Sequence, residues 1–352
     1  MSVFDNREYD NHEQVLFCRD EEPGLFAIIA IHDTTLGPAA GGTRMWTYAS
    51  AEEALTDALR LSRAMSYKNA LADLPLGGGK SVILGDSNRD KNEKILTSFA
   101  RFVQGLGGQI YVAEDVGISC NDVDVIAKES DYVFGLGKTG ACTGDPSPFT
   151  ARGCFHSMRA AVKHKFGRDS LEGLKVAIQG VGNVGRCLCQ DLHEAGVELI
   201  VADVNPEAVA YVVESLGAKA VTPDEIYDQD VDIFSPCAMG GILNDDTIPQ
   251  LKAVIIVGGA NNQLLQPRHG EMLHNKGILY APDYVVNAGG MINASYDILG
   301  QYDVDAVWER MKGLYDATFR ILEVAKKEDR FPHEVADDLA RQKIAAGRKS
   351  KK

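Results

Sequence analysis

Val176-Ala177-Ile178-Gln179-Gly180-Val181-Gly182-Asn183-Val184-Gly185 sets a short apolar run directly before a glycine-spaced turn, and a helix-forming stretch, Arg186 to Ala195, follows. A GxGxxG spacing alone is weak evidence, but here it stands between a strand and a helix, where the physics needs it. Gly180 permits a tight turn, Gly182 lets backbone approach a pyrophosphate, Gly185 lets helix pack on strand, and the helix N-terminus attracts the anion. Asp203 ends the next strand about twenty residues on, where its carboxylate accepts hydrogen bonds from an adenosine ribose and repels a 2′-phosphate. No Arg or Lys follows in Val204-Asn205-Pro206, so the pattern favours NAD over NADP. The competing reading makes the glycines plain turns and Asp203 a helix cap.

Outward from this turn, short β-rich runs alternate with helices: Val176 to Ile178, Glu198 to Ala202, Val231 to Phe234, Ala253 to Val257 and Ile278 to Tyr280. That alternation specifies a parallel sheet covered on both faces, a doubly wound domain. In the first third the order is irregular. Leu25 to Ile31 reads as a buried strand, and Ser50 with Glu53 forms a capping box ahead of a helix. Three-and-four spacing puts Ala54, Leu55, Ala58, Leu59, Ser62 and Met65 on one face of that helix, with Lys68 just past its end. The aperiodic stretch from Gly135 to Pro148 reads as a hinge. The fold class is therefore α/β with two domains: residues 1–134, to which a C-terminal helix 331–352 packs back, and a doubly wound domain over 135–330.

The 352 residues exceed what a single core usually holds, and 45% hydrophobic with 24% charged residues is an ordinary globular balance. A formal net charge of -14 repels phosphate backbones and anionic lipid, so neither nucleic acid nor membrane is an expected partner. The basic run Arg348 to Lys352 reads as a solvated, frayed end. Seven scattered cysteines without a CxxC indicate neither a disulfide framework nor a metal site, and Cys187 and Cys189 read as buried small hydrophobes. The N-terminal MSVFDNREYD has no signal-peptide core, and no apolar stretch approaches a bilayer span. A reduced cytoplasmic setting is expected.

Gly77-Gly78-Gly79-Lys80-Ser81 invites comparison with a phosphate-binding P-loop. That pattern needs a glycine where Leu74 stands, and a strand, Val82 to Leu84, follows in place of a helix. A lysine on a glycine loop, with Lys68 twelve residues upstream, suits amino acid oxidation: one cation for the substrate carboxylate, and one base for water. On spacing alone, solvated lysines explain both positions as well. Asp115, in Ala113-Glu114-Asp115-Val116-Gly117, is a candidate for moving the amine proton, or a turn former.

Together, several segments resemble the glutamate/leucine/phenylalanine/valine dehydrogenase family, and most of all its leucine-acting branch. They are Gly37-Pro38-Ala39-Ala40-Gly41-Gly42-Thr43-Arg44-Met45, Tyr67-Lys68-Asn69-Ala70, Gly77-Gly78-Gly79-Lys80, Ala113-Glu114-Asp115-Val116-Gly117, Pro146-Ser147-Pro148-Phe149-Thr150-Ala151, Gly259-Ala260-Asn261-Asn262-Gln263 and Ala281-Pro282-Asp283-Tyr284-Val285-Val286-Asn287-Ala288-Gly289-Gly290. The resemblance implies reversible oxidative deamination of an L-amino acid to its 2-oxo acid and ammonia. Lys68, Gly41 and Asn262 would hold the α-carboxylate, Lys80 would activate water, and Asp115 would shuttle the nitrogen proton. Thr150, Asn261 and Asn287 would meet the nicotinamide end, with Asn183, Val184, Cys237, Ala238 and Ala260 along the rest of the cofactor. Ala40, Gly42, Met65, Ala113, Met291 and Ala294 would surround the substrate.

Glutamate enzymes of the family carry a lysine where this chain has Ala40, so an apolar side chain is expected; a glutamate side chain buried there would lack a cation at a cost of several kcal/mol. Leucine enzymes carry leucine at Ala40, and valines at Met291 and Ala294. These departures keep phenylalanine or a larger aromatic side chain as the alternative to leucine. A non-catalytic NAD-binding regulator is the alternative from another class, and intact Lys68, Lys80 and Asp115 argue against it. The family also implies a homo-oligomer, often an octamer.

Overall fold

The protein is described by a computed structural model over residues 2–136 and 145–350. Most of the expected hinge, residues 137–144, lies outside the described residues. By contact the chain divides into two compact units. One runs to Asp145 and includes Asn293–Asp303 and the chain from Ala340; the other comprises Pro146–Ile292 and Val304–Leu339.

The first unit is a mixed sheet with helices on both faces. Its elements are β1 (Gln14–Asp20), β2 (Leu25–Asp33), β3 (Ala39–Trp46), α1 (Ala51–Leu71), β4 (Gly77–Leu84), α2 (Glu93–Gly105), β5 (Ile110–Ala113) and α3 (Cys120–Ile126). The strand order is β1-β2-β4-β3-β5, antiparallel across β1, β2 and β4 and parallel from β4 through β3 to β5. Strand alternation sorts the core into two layers. Ala27, Ile29, Ile31, Met45 and Ile83 pack with Phe99 and Val103 of α2, while Ile28, Ala30 and Val82 pack with Ala54, Leu55, Ala58 and Leu59 of α1.

Three local expectations change here. The Ser50 hydroxyl accepts from the Glu53 N–H at 3.1 Å, but the Glu53 carboxylate reaches back to the Ala49 N–H at 2.7 Å, one residue beyond a closed capping box. Lys68 lies inside the last turn of α1, not past its end. Gly77, Gly78 and Gly79 are strand, not loop. Any side chain on Gly78 would strike the Ser66 backbone nitrogen and hydroxyl of α1, and one on Gly79 would come within 2.6 Å of Ile110 Cδ1. Gly78 is there because α1 approaches β4 closely, and Gly77 and Gly79 because Asp33 at the end of β2 and Ile110 of β5 do.

The second unit holds α4 (Ser147–Phe166), β6 (Lys175–Gln179), α5 (Asn183–Glu194), β7 (Glu198–Ala202), α6 (Pro206–Leu216), β8 (Lys219–Ala220), β9 (Ile233–Pro236), β10 (Ile255–Ile256), α7 (Arg268–Asn275), β11 (Leu279–Tyr280) and α8 (Asp283–Val286). All its strands pair in parallel, in the order β11-β10-β9-β6-β7-β8. Counted from β6 this is 3-2-1-4-5-6, the order of a dinucleotide-binding sheet. Val176, Ile178, Val201, Ile233 and Ile255 meet Met158 of α4 and Leu188 of α5, and Ala177, Phe234, Ile256 and Tyr280 cover the opposite face. Of the expected runs, 231–234 starts pairing only at Ile233 and continues to Pro236, 253–257 pairs only at Ile255–Ile256, and β8 was not foreseen.

Four helices complete the chain: α9 (Gly289–Ile298), α10 (Val304–Met311), α11 (Gly313–Glu328) and α12 (Pro332–Ser350). The division between units passes through α9 and α12. The basic end is not frayed at Arg348, which pairs with the buried Asp33 and donates to Thr35 Oγ1 at 3.2 Å. Lys343 pairs with Asp73 at 2.6 Å. Cys189 is buried as expected, Cys187 only half-buried, and no disulfide joins the six described cysteines. Among the described residues no helix is long and apolar enough to cross a membrane.

Candidate active site

Lys80 shares a strand face with Val82, so alternation carries its side chain into the layer against α1. Only 8% of that side chain is exposed, and its ammonium meets Asp115 Oδ2 at 2.5 Å. The solvated-lysine alternative is thereby removed for Lys80. Asp115 follows β5 and sits against β3, where a side chain on Gly42 would come within 2.9 Å of its Cβ. The same Asp115 oxygen accepts from Arg44 Nε at 3.1 Å. Burial by itself raises the Asp115 carboxyl, but Lys80 and Arg44 outweigh it and hold the group below the usual carboxylate range. Asp115 is thus an anion between two cations.

Arg44 also reaches Asp57 Oδ2 at 2.9 Å, and Tyr48 donates to that oxygen at 2.8 Å. Arg60 takes the other Asp57 oxygen at 3.0 Å. These four residues were not singled out in the sequence. Two signals were available: Arg44 lies two and four residues after Gly42 and Ala40 on one strand, and Asp57 is a charge inside the apolar run Ala54 to Leu59.

The remaining substrate candidates of the first unit are Lys68 and Met65, both half-buried on α1, and Ala40, Gly41, Ala113 and Ala294. Ala40 has no exposed surface and is in register with Gly78 and Tyr111, while Gly42 is in register with Ala113. Gly41 approaches Gly79 and Met65 closely. Met291 and Asn262 belong to the second unit.

In the second unit three loops converge at the C-terminal ends of β6, β9 and β10, where the strand order reverses. Gly180 has φ +94, and a side chain there would come within 2.6 Å of the Ala238 Cβ. A side chain on Gly185 would collide with the Gly180 carbonyl, and one on Gly259 would come within 2.7 Å of Val184 Cγ1. Gly182 differs: nothing lies within 4 Å of where its Cβ would be, and no side chain caps α5. The first N–H groups of that helix therefore have no side-chain cap beside an open position, which fits a pyrophosphate.

Asp203 Oδ2 accepts from the Val181 N–H at 2.7 Å and Oδ1 from the Asn205 N–H at 2.8 Å, so its carboxylate is fixed beside the glycine turn. The cap of α6 is Asn205, not Asp203. Beyond β10, Gln263 is fully buried, donating to the Gly258 and Ala260 carbonyls at 2.7 and 3.0 Å while Asp283 accepts from its backbone N–H at 2.8 Å. Asn262 takes φ +52, and its carbonyl accepts from Gly241 at 2.7 Å. Asn287 donates to Asn261 Oδ1 at 2.7 Å and to the Gly259 carbonyl at 3.2 Å, leaving its own buried Oδ1 without a hydrogen-bond donor. That acceptor suits a carboxamide N–H. Thr150, in the first turn of α4, faces Gly290 closely, and burial pushes the Cys237 thiol up. The cofactor candidates Gly180, Gly182, Asn183, Val184, Gly185, Asp203, Cys237, Ala238, Ala260, Asn261, Asn287 and Thr150 all belong to this unit.

Comparison with known proteins identifies the family. Residues 12–159 match the family described as Glu/Leu/Phe/Val dehydrogenase, dimerisation domain, and residues 145–206 and 203–351 match Glutamate/Leucine/Phenylalanine/Valine dehydrogenase. The chain is 54% identical to a leucine dehydrogenase of Geobacillus stearothermophilus over all of this chain and 95% of that one. It is 52% identical to a leucine dehydrogenase of Bacillus subtilis, over all of this chain and 96% of that one. The crystal structure of an L-tryptophan dehydrogenase from Nostoc punctiforme superposes with a TM-score of 0.85 at 46% identity, covering 96% of this chain and 97% of that one. The chain belongs to the glutamate/leucine/phenylalanine/valine dehydrogenase family and is an amino acid dehydrogenase.

Proposed function

We propose that the protein catalyses the reversible, NAD-dependent oxidative deamination of an L-amino acid with a branched apolar side chain, leucine foremost. The observation that carries the chemistry is the buried Lys80–Asp115 pair at 2.5 Å, and the substrate class follows the leucine dehydrogenases at 54% and 52% identity. NAD, held by the Gly180–Gly185 turn and Asp203, would supply the hydride acceptor for the substrate Cα.

The chain's own residues do the rest by charge and position. Lys68 holds the α-carboxylate, fixing the Cα. Lys80 takes the proton of the attacking water, and Asp115, kept anionic by Lys80 and Arg44, receives and returns the proton of the amine. Ala40, Gly41, Gly42, Met65, Ala113 and Ala294 of the first unit surround the side chain, and none of them offers a cation to a carboxylate there. The matched dimerisation domain favours a homo-oligomer of this chain, octameric as in the family, and the free thiols favour the cytoplasm.

A second reading, the same chemistry on an aromatic amino acid, is favoured by the tryptophan dehydrogenase similarity. Initial rates of NADH formation across a panel of L-amino acids test both. Leucine, isoleucine and valine leading supports the first; tryptophan or phenylalanine leading supports the second; no turnover with any contradicts both.

A further inference from the structure

Lys80, Asp115, Arg44 and Asp57 form an alternating row of two cations and two carboxylates, with successive contacts of 2.5, 3.1 and 2.9 Å. The row draws on β4, the segment after β5, β3 and α1, so no single element fixes it. Asp115 faces Lys80 and Arg44 and accepts from the Val116 backbone; Arg44 faces Asp115 and Asp57; Asp57 faces Arg44, Arg60 and the Tyr48 hydroxyl. Glu114, next to Asp115 in the chain, turns instead to the Cys120 thiol at 2.8 Å. Only 11% of the Asp57 side chain and 19% of the Arg44 side chain are exposed.

We propose that Arg44, anchored by Asp57, is a positioning residue that holds the Asp115 carboxylate on Lys80 and sets the charge balance of that pair. The proposal rests on the deamination reading above. The guanidinium is suited to it because a planar fork reaches two carboxylates at once, with Nε on Asp115 and Nη1 on Asp57. A lysine at 44 would carry the charge without the fork. If Arg44 served only to bury Asp57 stably, its loss would lower the melting temperature and leave the proton chemistry alone.

The charges of Arg44 and Asp57 act on the reaction with opposite sign. Without the Arg44 charge, Lys80 is, among the described residues, the one cation left on Asp115 and the pair holds its proton more tightly. Without the Asp57 charge, Arg44 is less compensated and the pair releases its proton more readily.

The test is the pH dependence of kcat for deamination by the full chain, with the parent's best amino acid and saturating NAD, beside a thermal melt. Arg44→Gln is expected to lower kcat roughly tenfold to a hundredfold, at the low end of what a positioned acid or base supplies. Its rising limb moves alkaline, with a smaller change in KM. Asp57→Asn moves the limb acid. Arg44→Lys leaves the limb at the parent's position while kcat stays reduced. Limbs of Arg44→Gln and Asp57→Asn that stay in place, or move the same way, overturn the proposal. So does Arg44→Lys behaving as Arg44→Gln. If Arg44→Gln does not fold, the isosteric Asp57→Asn decides, an unmoved limb overturning it. A parent that turns over no L-amino acid overturns the deamination reading and this inference with it; an active parent with unmoved limbs overturns this inference alone.

Discussion

Two glycine-rich segments of this chain look alike as text and work in opposite ways. In Gly77-Gly78-Gly79 the missing side chains are filled space, taken by Ser66 of α1 and by Ile110. In the Gly180–Gly185 turn two glycines, Gly180 and Gly185, likewise make room for neighbouring atoms, but Gly182 opens onto nothing within 4 Å. The first pattern packs α1, Asp33 and Ile110 closely onto the strand that carries the buried Lys80; the second leaves a helix N-terminus without a side-chain cap. A glycine therefore marks close packing in one place and a reserved volume in the other, and only the surroundings distinguish them.

The largest expected effect comes from the residue that the packed segment delivers. Lys80→Ala should lower kcat about 10³-fold, the middle of the range for a positioned general base, with NADH affinity close to the parent's. Next, Gly78→Ala should destabilise the fold by about 3 kcal/mol, because the added methyl meets the backbone and hydroxyl of Ser66; urea unfolding measures it, and a loss near zero would break the comparison. Gly182→Ala should do the reverse: an unchanged melting temperature with NADH affinity weakened about tenfold, near 1.4 kcal/mol, because the methyl enters the reserved volume. Fluorescence titration reads that, and unaltered affinity would mean the open space serves something else.

The smallest effect is acid lability near the packed segment. His32 donates to or accepts from Ser66 Oγ at 2.8 Å, and burial, with His12 beside it, lowers its pKa from 6.5 to about 4. The unfolded chain binds this proton near pH 6.5 and the folded chain only near 4, so stability is present above 6.5 and is lost as pH falls through that window. Melting curves between pH 7 and 4.5 should show the decline. His32→Asn should flatten it only in part, because His12 in the first unit and His156 in the second are lowered as well.

What could be read from the sequence was what is local. The Gly180 turn, its flanking strand and helix, and Asp203 lie within about one crossover unit, where spacing alone carries the physics. The strand Gly77–Leu84 reads as a loop at its start because glycine is poor strand material and its reasons for being there, the close approach of α1, Asp33 and Ile110, are tertiary. β8 is two residues long and both are exposed, so no apolar pattern announces it. Lys80 and Asp115 were singled out, yet Arg44 and Asp57 were not, because the row they complete draws on four separate segments. Arg348 looked like part of a solvated tail because its partner Asp33 lies 315 residues earlier.

The most direct test of the central claim is a paired measurement on the parent and Lys80→Ala: NADH formation from L-leucine at alkaline pH, with NADH binding followed on the same samples. Buried proton chemistry at the Lys80–Asp115 pair predicts that the variant binds NADH like the parent and turns over about 10³-fold more slowly. Turnover by Lys80→Ala within tenfold of the parent would contradict it.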